Sequence, residues 1–195
     1  MNEHKELLQK WLKVLFYAQI ASMAITAINA VTHLDNITAW ILKAVNVVVV
    51  WSLFQLKDVN PRYRTTAIAK VTALICGLLT LPVNTSGWGL SSILLLVGST
   101  AGWVASYQEY HGHGELVAEM DSKLAKRWKD LFVWEVAIAL GTSVISIVGV
   151  TILVATEVLT TAISTILIAV TTIIGLALEG LYLLYMKRTL NLLEN

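Results

Sequence analysis

Cysteine is nearly absent. Cys76 stands alone in 195 residues, so the chain forms no intrachain disulfide and has no Cys-x-x-Cys pair for a metal or a redox couple. Proline is equally scarce, at Pro61 and Pro82 only, which leaves long stretches without helix breakers. Charge is the third shortage: Asp, Glu, Lys and Arg make up 14% of the chain against 56% hydrophobic residues. Soluble domains carry roughly one-quarter charged residues, so water is excluded as the main solvent. Catalytic signatures are missing as well, with no HExxH, no Ser-His-Asp grouping, no phosphate-cradling glycine loop and no nucleotide motif.

What fills the chain instead is a series of apolar runs, at about 11–33, 36–56, 65–84, 88–108, 131–154 and 160–186. Each is close to the ~20 residues that cross a ~30 Å hydrocarbon core. The pattern predicts an all-α polytopic membrane protein, a single domain of six spans in three tandem hairpins. Alternate connections differ in charge. Lys5, Lys10 and Lys13 precede the first run, Lys57, Arg62, Arg64 and Lys70 surround the second connection, Lys123, Lys126, Arg127 and Lys129 lie in the fourth, and Lys187 and Arg188 follow the last. The turns at Leu34–Thr38, Asn84–Gly87 and Ala155–Leu159 carry no Lys or Arg. Lys43, inside the second run, is the remaining basic residue. By the positive-inside rule both termini are cytoplasmic and the membrane is a cell (inner) membrane. A net charge of +1 is thus an orientation signal toward anionic lipid and not one for nucleic acid.

Small residues at Ala21, Ser22 and Ala24 loosely imitate a secretory signal. The apolar run continues through Ala30 and Val31, which is longer than a signal core and predicts an uncleaved first span. Gln9-Lys10-Trp11 and Lys126-Arg127-Trp128 resemble each other ahead of two spans, a thin trace of internal repetition that interfacial anchors also produce independently.

The fourth connection is the most unusual stretch. Gly112 and Gly114 are placed to interrupt a helix, after which Leu116, Met120, Leu124 and Trp128 recur every four residues. This predicts a cytoplasmic amphipathic helix along the inner surface between spans four and five, or alternatively a plain extension of the fifth span.

Polar and small residues recur at helical spacing within the runs: Gln19, Ser22, Thr26, Asn29 and His33 in the first, Ser92, Ser99, Gly102, Ser106, Glu109 and His113 in the fourth, Thr172, Gly175, Glu179 and Tyr182 in the sixth. Close helix packing and interhelical hydrogen bonds account for most of them. Charges at depth need more, because each costs about 2.5–3.5 kcal/mol at the bilayer centre unless paired or wet. Glu179, Glu135 and Glu109, with Lys70 as the nearest counter-charge and with Lys43 and Asn46 toward the outer side, mark a candidate pathway for a small ion or polar solute through an inward-facing cavity. His111 and His113 are candidate proton relays at its mouth. A second reading is a metal-dependent membrane enzyme: Glu109 and His113, at i,i+4, share a helix face and could join Glu135 and Glu179 around a divalent metal. A third is an accessory or assembly subunit whose buried acids are neutralised by close pairs. Six short spans enclose a small interior, which also predicts a homo-oligomer.

Overall fold

The computed structural model describes residues 2–32, 35–80, 89–156 and 160–194, with side chains described except at 2–4, 31, 35–36, 146–156 and 160–168. His33, Pro82, Glu157 and the turn at Asn84–Gly87 lie outside this set. The described residues form six helices: α1 (Asn2–Thr32), α2 (Asp35–Gln55), α3 (Pro61–Leu79), α4 (Leu90–Val117), α5 (Ser122–Thr156) and α6 (Thr160–Glu194). Four of them are long and apolar enough to cross a membrane, over Lys5–Ala30, Ile37–Gln55, Leu90–Val117 and Ala169–Glu194. α3 is shorter and opens with Arg62 and Arg64, and the first turns of α5 carry Lys123, Lys126, Arg127, Lys129 and Asp130.

Local chemistry sets the starts of α3 and α5. Asn60 is extended and its side chain accepts from the Arg62 amide at 2.9 Å, while Pro61 at the first helical position gives up only an amide that the helix could not use. Asp121 Oδ1 caps α5, accepting from the amides of Lys123 at 3.0 Å and Leu124 at 2.9 Å.

Each helix packs on the next in sequence and α1 closes against α6, so the six form a ring that α4 also crosses to reach α6. Among the described residues, the largest buried side chains gather toward one end of the ring. Leu8, Leu12, Leu15, Leu53, Leu56, Tyr63, Val117, Leu124, Trp128, Met186, Leu190 and Leu193 form one buried core, all at the helix ends that carry the basic residues. α1, α4, α5 and α6 overrun the apolar runs there by roughly eight to nine residues, or ~12–14 Å at 1.5 Å per residue. These overhangs are tied to each other: Gln9 donates to the Leu193 carbonyl at 2.6 Å, and Lys13 meets Glu194 at 2.7 Å. Toward the other end, large apolar side chains such as Ile28, Trp40, Leu96, Leu140 and Ile173 face outward, as lipid-facing residues do.

One sequence expectation needs correction. No separate amphipathic helix follows the glycines: α4 runs unbroken through Gly112 and Gly114 to Val117, a short turn follows, and Leu124 and Trp128 belong to the first turns of α5. The glycines serve close approach and not a break. A Cβ on Gly112 would sit 3.3 Å from the Tyr63 ring, and one on Gly114 would sit 3.1 Å from the Ala125 carbonyl oxygen of α5. Tyr63, Trp128 and the leucines around them are buried at the helix ends that carry the basic residues. Some hydroxyls outside the stripes are satisfied on their own helix. Ser52, Thr72, Thr100 and Ser143 donate to the carbonyl four residues back, a bond always available to Ser and Thr in a helix. The two basic-aromatic segments also differ in role, since Trp128 is fully buried while Trp11 stays partly exposed beside Lys10.

Candidate functional site

Just inside the plug, α3, α4 and α6 bring together a buried polar cluster. Glu109 is 2% exposed. Its Oε2 meets Lys70 Nζ at 3.0 Å, and its Oε1 accepts from the Tyr182 hydroxyl at 2.7 Å. One turn on, His113 is wholly buried, with Nε2 3.3 Å from the Tyr182 hydroxyl and 3.9 Å from Glu109, and Nδ1 2.9 Å from the Tyr63 hydroxyl. The donors can be assigned from this arrangement. Tyr182 commits its proton to the carboxylate, so its oxygen accepts from His113 Nε2–H; the neutral ring then offers Nδ1 as acceptor to the Tyr63 O–H. Hydrogen bonds therefore run in one direction, from Tyr63 through His113 and Tyr182 to Glu109, and Lys70 balances the single charge at the end.

Aromatic packing keeps the relay dry. The His113 ring lies 4.7 Å from that of Trp128 and 5.4 Å from that of Tyr63, and Trp128 donates Nε1–H to Thr189 at 3.1 Å. Outside the plug, Arg62 donates to Glu115 at 2.8 Å and to Gln108 at 2.7 Å, and Asn60 donates to Glu115 at 3.0 Å, which locks the start of α3 to the end of α4.

Beyond the cluster, away from the basic end, the helices line two open cavities. The first, about 580 Å³, is lined by Lys43, Asn46, Lys70, Gly77, Ser99, Gly102, Ser106 and Glu135 among others. The second, about 380 Å³, is lined by Gln19, Lys70, Ser106, Glu109, Glu135, Thr142, Gly175, Glu179 and Tyr182 among others. Lys70, Ser106 and Glu135 belong to both walls. Ser106 donates to Glu135 Oε1 at 3.1 Å. Among the described residues, three solvent-excluded side-chain atoms have no hydrogen-bond partner: Lys43 Nζ, Glu135 Oε2 and Glu179 Oε2. Lys43 faces the first cavity, Glu179 the second and Glu135 both.

The structure thus draws Lys43, Asn46, Lys70, Glu109, Glu135 and Glu179 to two adjoining cavities, and it separates the histidines from them. His111 lies off both cavities, stacked on Tyr107 at 4.1 Å and donating Nδ1–H to the Tyr107 carbonyl at 2.9 Å. His113 is sealed in the aromatic box and not at a mouth. The metal set fits poorly. Glu109 and His113 do share a face, but Lys70 and Tyr182 occupy the carboxylate, both ring nitrogens have tyrosine partners, and no group of three His, Cys, Asp or Glu converges among the described residues. Sequence reasoning missed Tyr63, Trp128 and Thr189. Two of these are aromatics beside basic residues, the ordinary mark of an interfacial anchor, whereas Tyr182 did fall on the polar stripe of the sixth run.

Comparison with known protein families, with curated proteins and with solved structures finds no match to this chain.

Proposed function

We propose that this chain is a six-span protein of the cell membrane, with its basic helix ends and both termini in the cytoplasm, that passes a small ion or polar solute through the two adjoining cavities. One observation carries the reading: each residue with a solvent-excluded charged atom lacking a hydrogen-bond partner, among the described residues, lines one of these cavities. A carboxylate or ammonium at membrane depth is tolerated when it meets water, a pair or a ligand, and here the first or the last is what the cavities can supply. Lys70, Ser106 and Glu135 form the shared wall through which a solute would move from one cavity to the other. The plug at the basic end is the inner gate of this route. Glu109, already neutralised by Lys70, lines the second cavity where it borders that gate.

α1 packing on α6 closes the ring within one copy, so the route itself needs no second copy. Self-association, if it is part of the function, uses the outward apolar faces.

Reconstituted liposomes test the reading. Wild-type protein is expected to make them permeable to at least one member of a panel of ions and small polar solutes, and Glu179→Gln is expected to change that flux or its pH dependence with folding intact. Liposomes as tight as protein-free ones across the panel would remove the transport reading and favour an accessory subunit.

A further inference from the structure

The larger cavity presents two opposite charges that do not meet. On one wall, Lys43 Nζ is shielded from solvent, has no hydrogen-bond partner among the described residues and lies 4.8 Å from the centre of the Trp40 ring; Asn46, one turn further along α2, lines the same cavity. On another, Glu135 has Oε1 held by Ser106 at 3.1 Å and Oε2 without a hydrogen-bond partner, while the Tyr110 hydroxyl and the Lys70 ammonium also act on the carboxylate. The Lys70 ammonium is itself paired with Glu109 at 3.0 Å. The chamber therefore offers one ammonium outside any ion pair among the described residues and one carboxylate oxygen with its hydrogen-bonding capacity unfilled.

A simple anion would satisfy Lys43 and leave Glu135 facing added negative charge. A simple cation would do the reverse. Water could solvate each group separately, but a solute carrying both charges satisfies both at once, brings no net charge to membrane depth and adds orientation, since its two ends cannot exchange. A volume of about 580 Å³ falls in the ordinary range of small-molecule sites. We infer that this chamber binds a small zwitterion of the amino-acid type, with its anionic group on Lys43 and Asn46 and its ammonium on Glu135 and Ser106. The inference rests on the solute-route reading above, whose solute class it specifies.

Calorimetry on the full chain in lipid nanodiscs tests it with glycine, β-alanine and 4-aminobutyrate, which vary the charge separation, against acetate and methylammonium. At least one zwitterion is expected to bind, and more tightly than either single ion. Lys43→Met and Glu135→Gln should each weaken it about tenfold or more, as removing one side of a desolvated charge contact does, while Lys43→Arg retains binding and gel filtration shows all variants folded. Should Glu135→Gln fail to fold, the ranking of zwitterion against single ion and the Lys43 pair still decide. The inference is overturned if acetate or methylammonium binds as tightly as the best zwitterion, if no zwitterion binds, or if Lys43→Met binds like wild type. Liposome flux separates this from the parent reading: single-ion flux without zwitterion binding removes the solute class and leaves the route, whereas zwitterion binding in liposomes that stay tight upholds the site and removes the route.

Discussion

Lys70 and Glu109 form an ion pair whose two ends sit in different surroundings, and that asymmetry fixes what each single substitution should do. The Glu109 side chain is 2% exposed and the Lys70 side chain 25% exposed. Lys70→Met leaves the buried carboxylate with the Tyr182 hydroxyl and weak help from His113. Removing one partner of a buried pair costs about 3–5 kcal/mol, and Lys70→Met should fall in that range. Glu109→Gln is milder: the amide oxygen still accepts from Tyr182, and Lys70 lines both cavities, where its ammonium can turn toward water. A cost of about 1–2 kcal/mol follows from the exchange of a charged for a neutral acceptor. The double variant Lys70→Met/Glu109→Gln leaves no buried charge, so it should be more stable than Lys70→Met alone by about 1–3 kcal/mol, outside the range of additivity. Unfolding in mixed detergent micelles, followed by tryptophan fluorescence, reads all three, since Trp128 packs against His113 and Tyr182. If Lys70→Met costs no more than Glu109→Gln, or if the double variant shows the simple sum, Glu109 is wet and the dry plug described above is wrong.

Two further outcomes are expected. Gly114→Ala should destabilise by about 1 kcal/mol or more, because overpacking against the Ala125 carbonyl, 3.1 Å from the new Cβ, outweighs the gain in helix propensity; Gly180→Ala, with nothing within 4 Å, should gain up to about 1 kcal/mol, and thermal unfolding of the two in the reverse order would reject the close α4–α5 contact. In a Cys76→Ala background, cysteines introduced at Asn36, Ser86 and Thr156 should react with an impermeant external reagent while one at Ser122 should not, and the opposite pattern would invert the orientation.

What the sequence made legible is what helix geometry makes local. A stripe at spacings of three and four depends only on the helix that carries it, so Ser106, Glu109, Glu179 and Tyr182 could be put on definite faces before any partner was known. Depth is local too, and it marked Lys70 as the basic residue nearest the buried acids; the structure pairs it with Glu109. The glycines of the fourth connection are the opposite case. Whether Gly112 and Gly114 end a helix or let two helices touch is decided by Tyr63 and Ala125, far away in sequence, and the conformational freedom of glycine is the same in both settings. Trp128 and Tyr63 mislead for a related reason. An aromatic residue next to basic residues looks alike whether it floats at the lipid interface or fills a plug, and the difference lies in the overhanging turns of α1, α4, α5 and α6. The apolar runs read from the sequence stop short of these helix ends, and Leu8, Val117, Leu124, Trp128, Leu190 and Leu193, which lie beyond the runs, complete the buried core there.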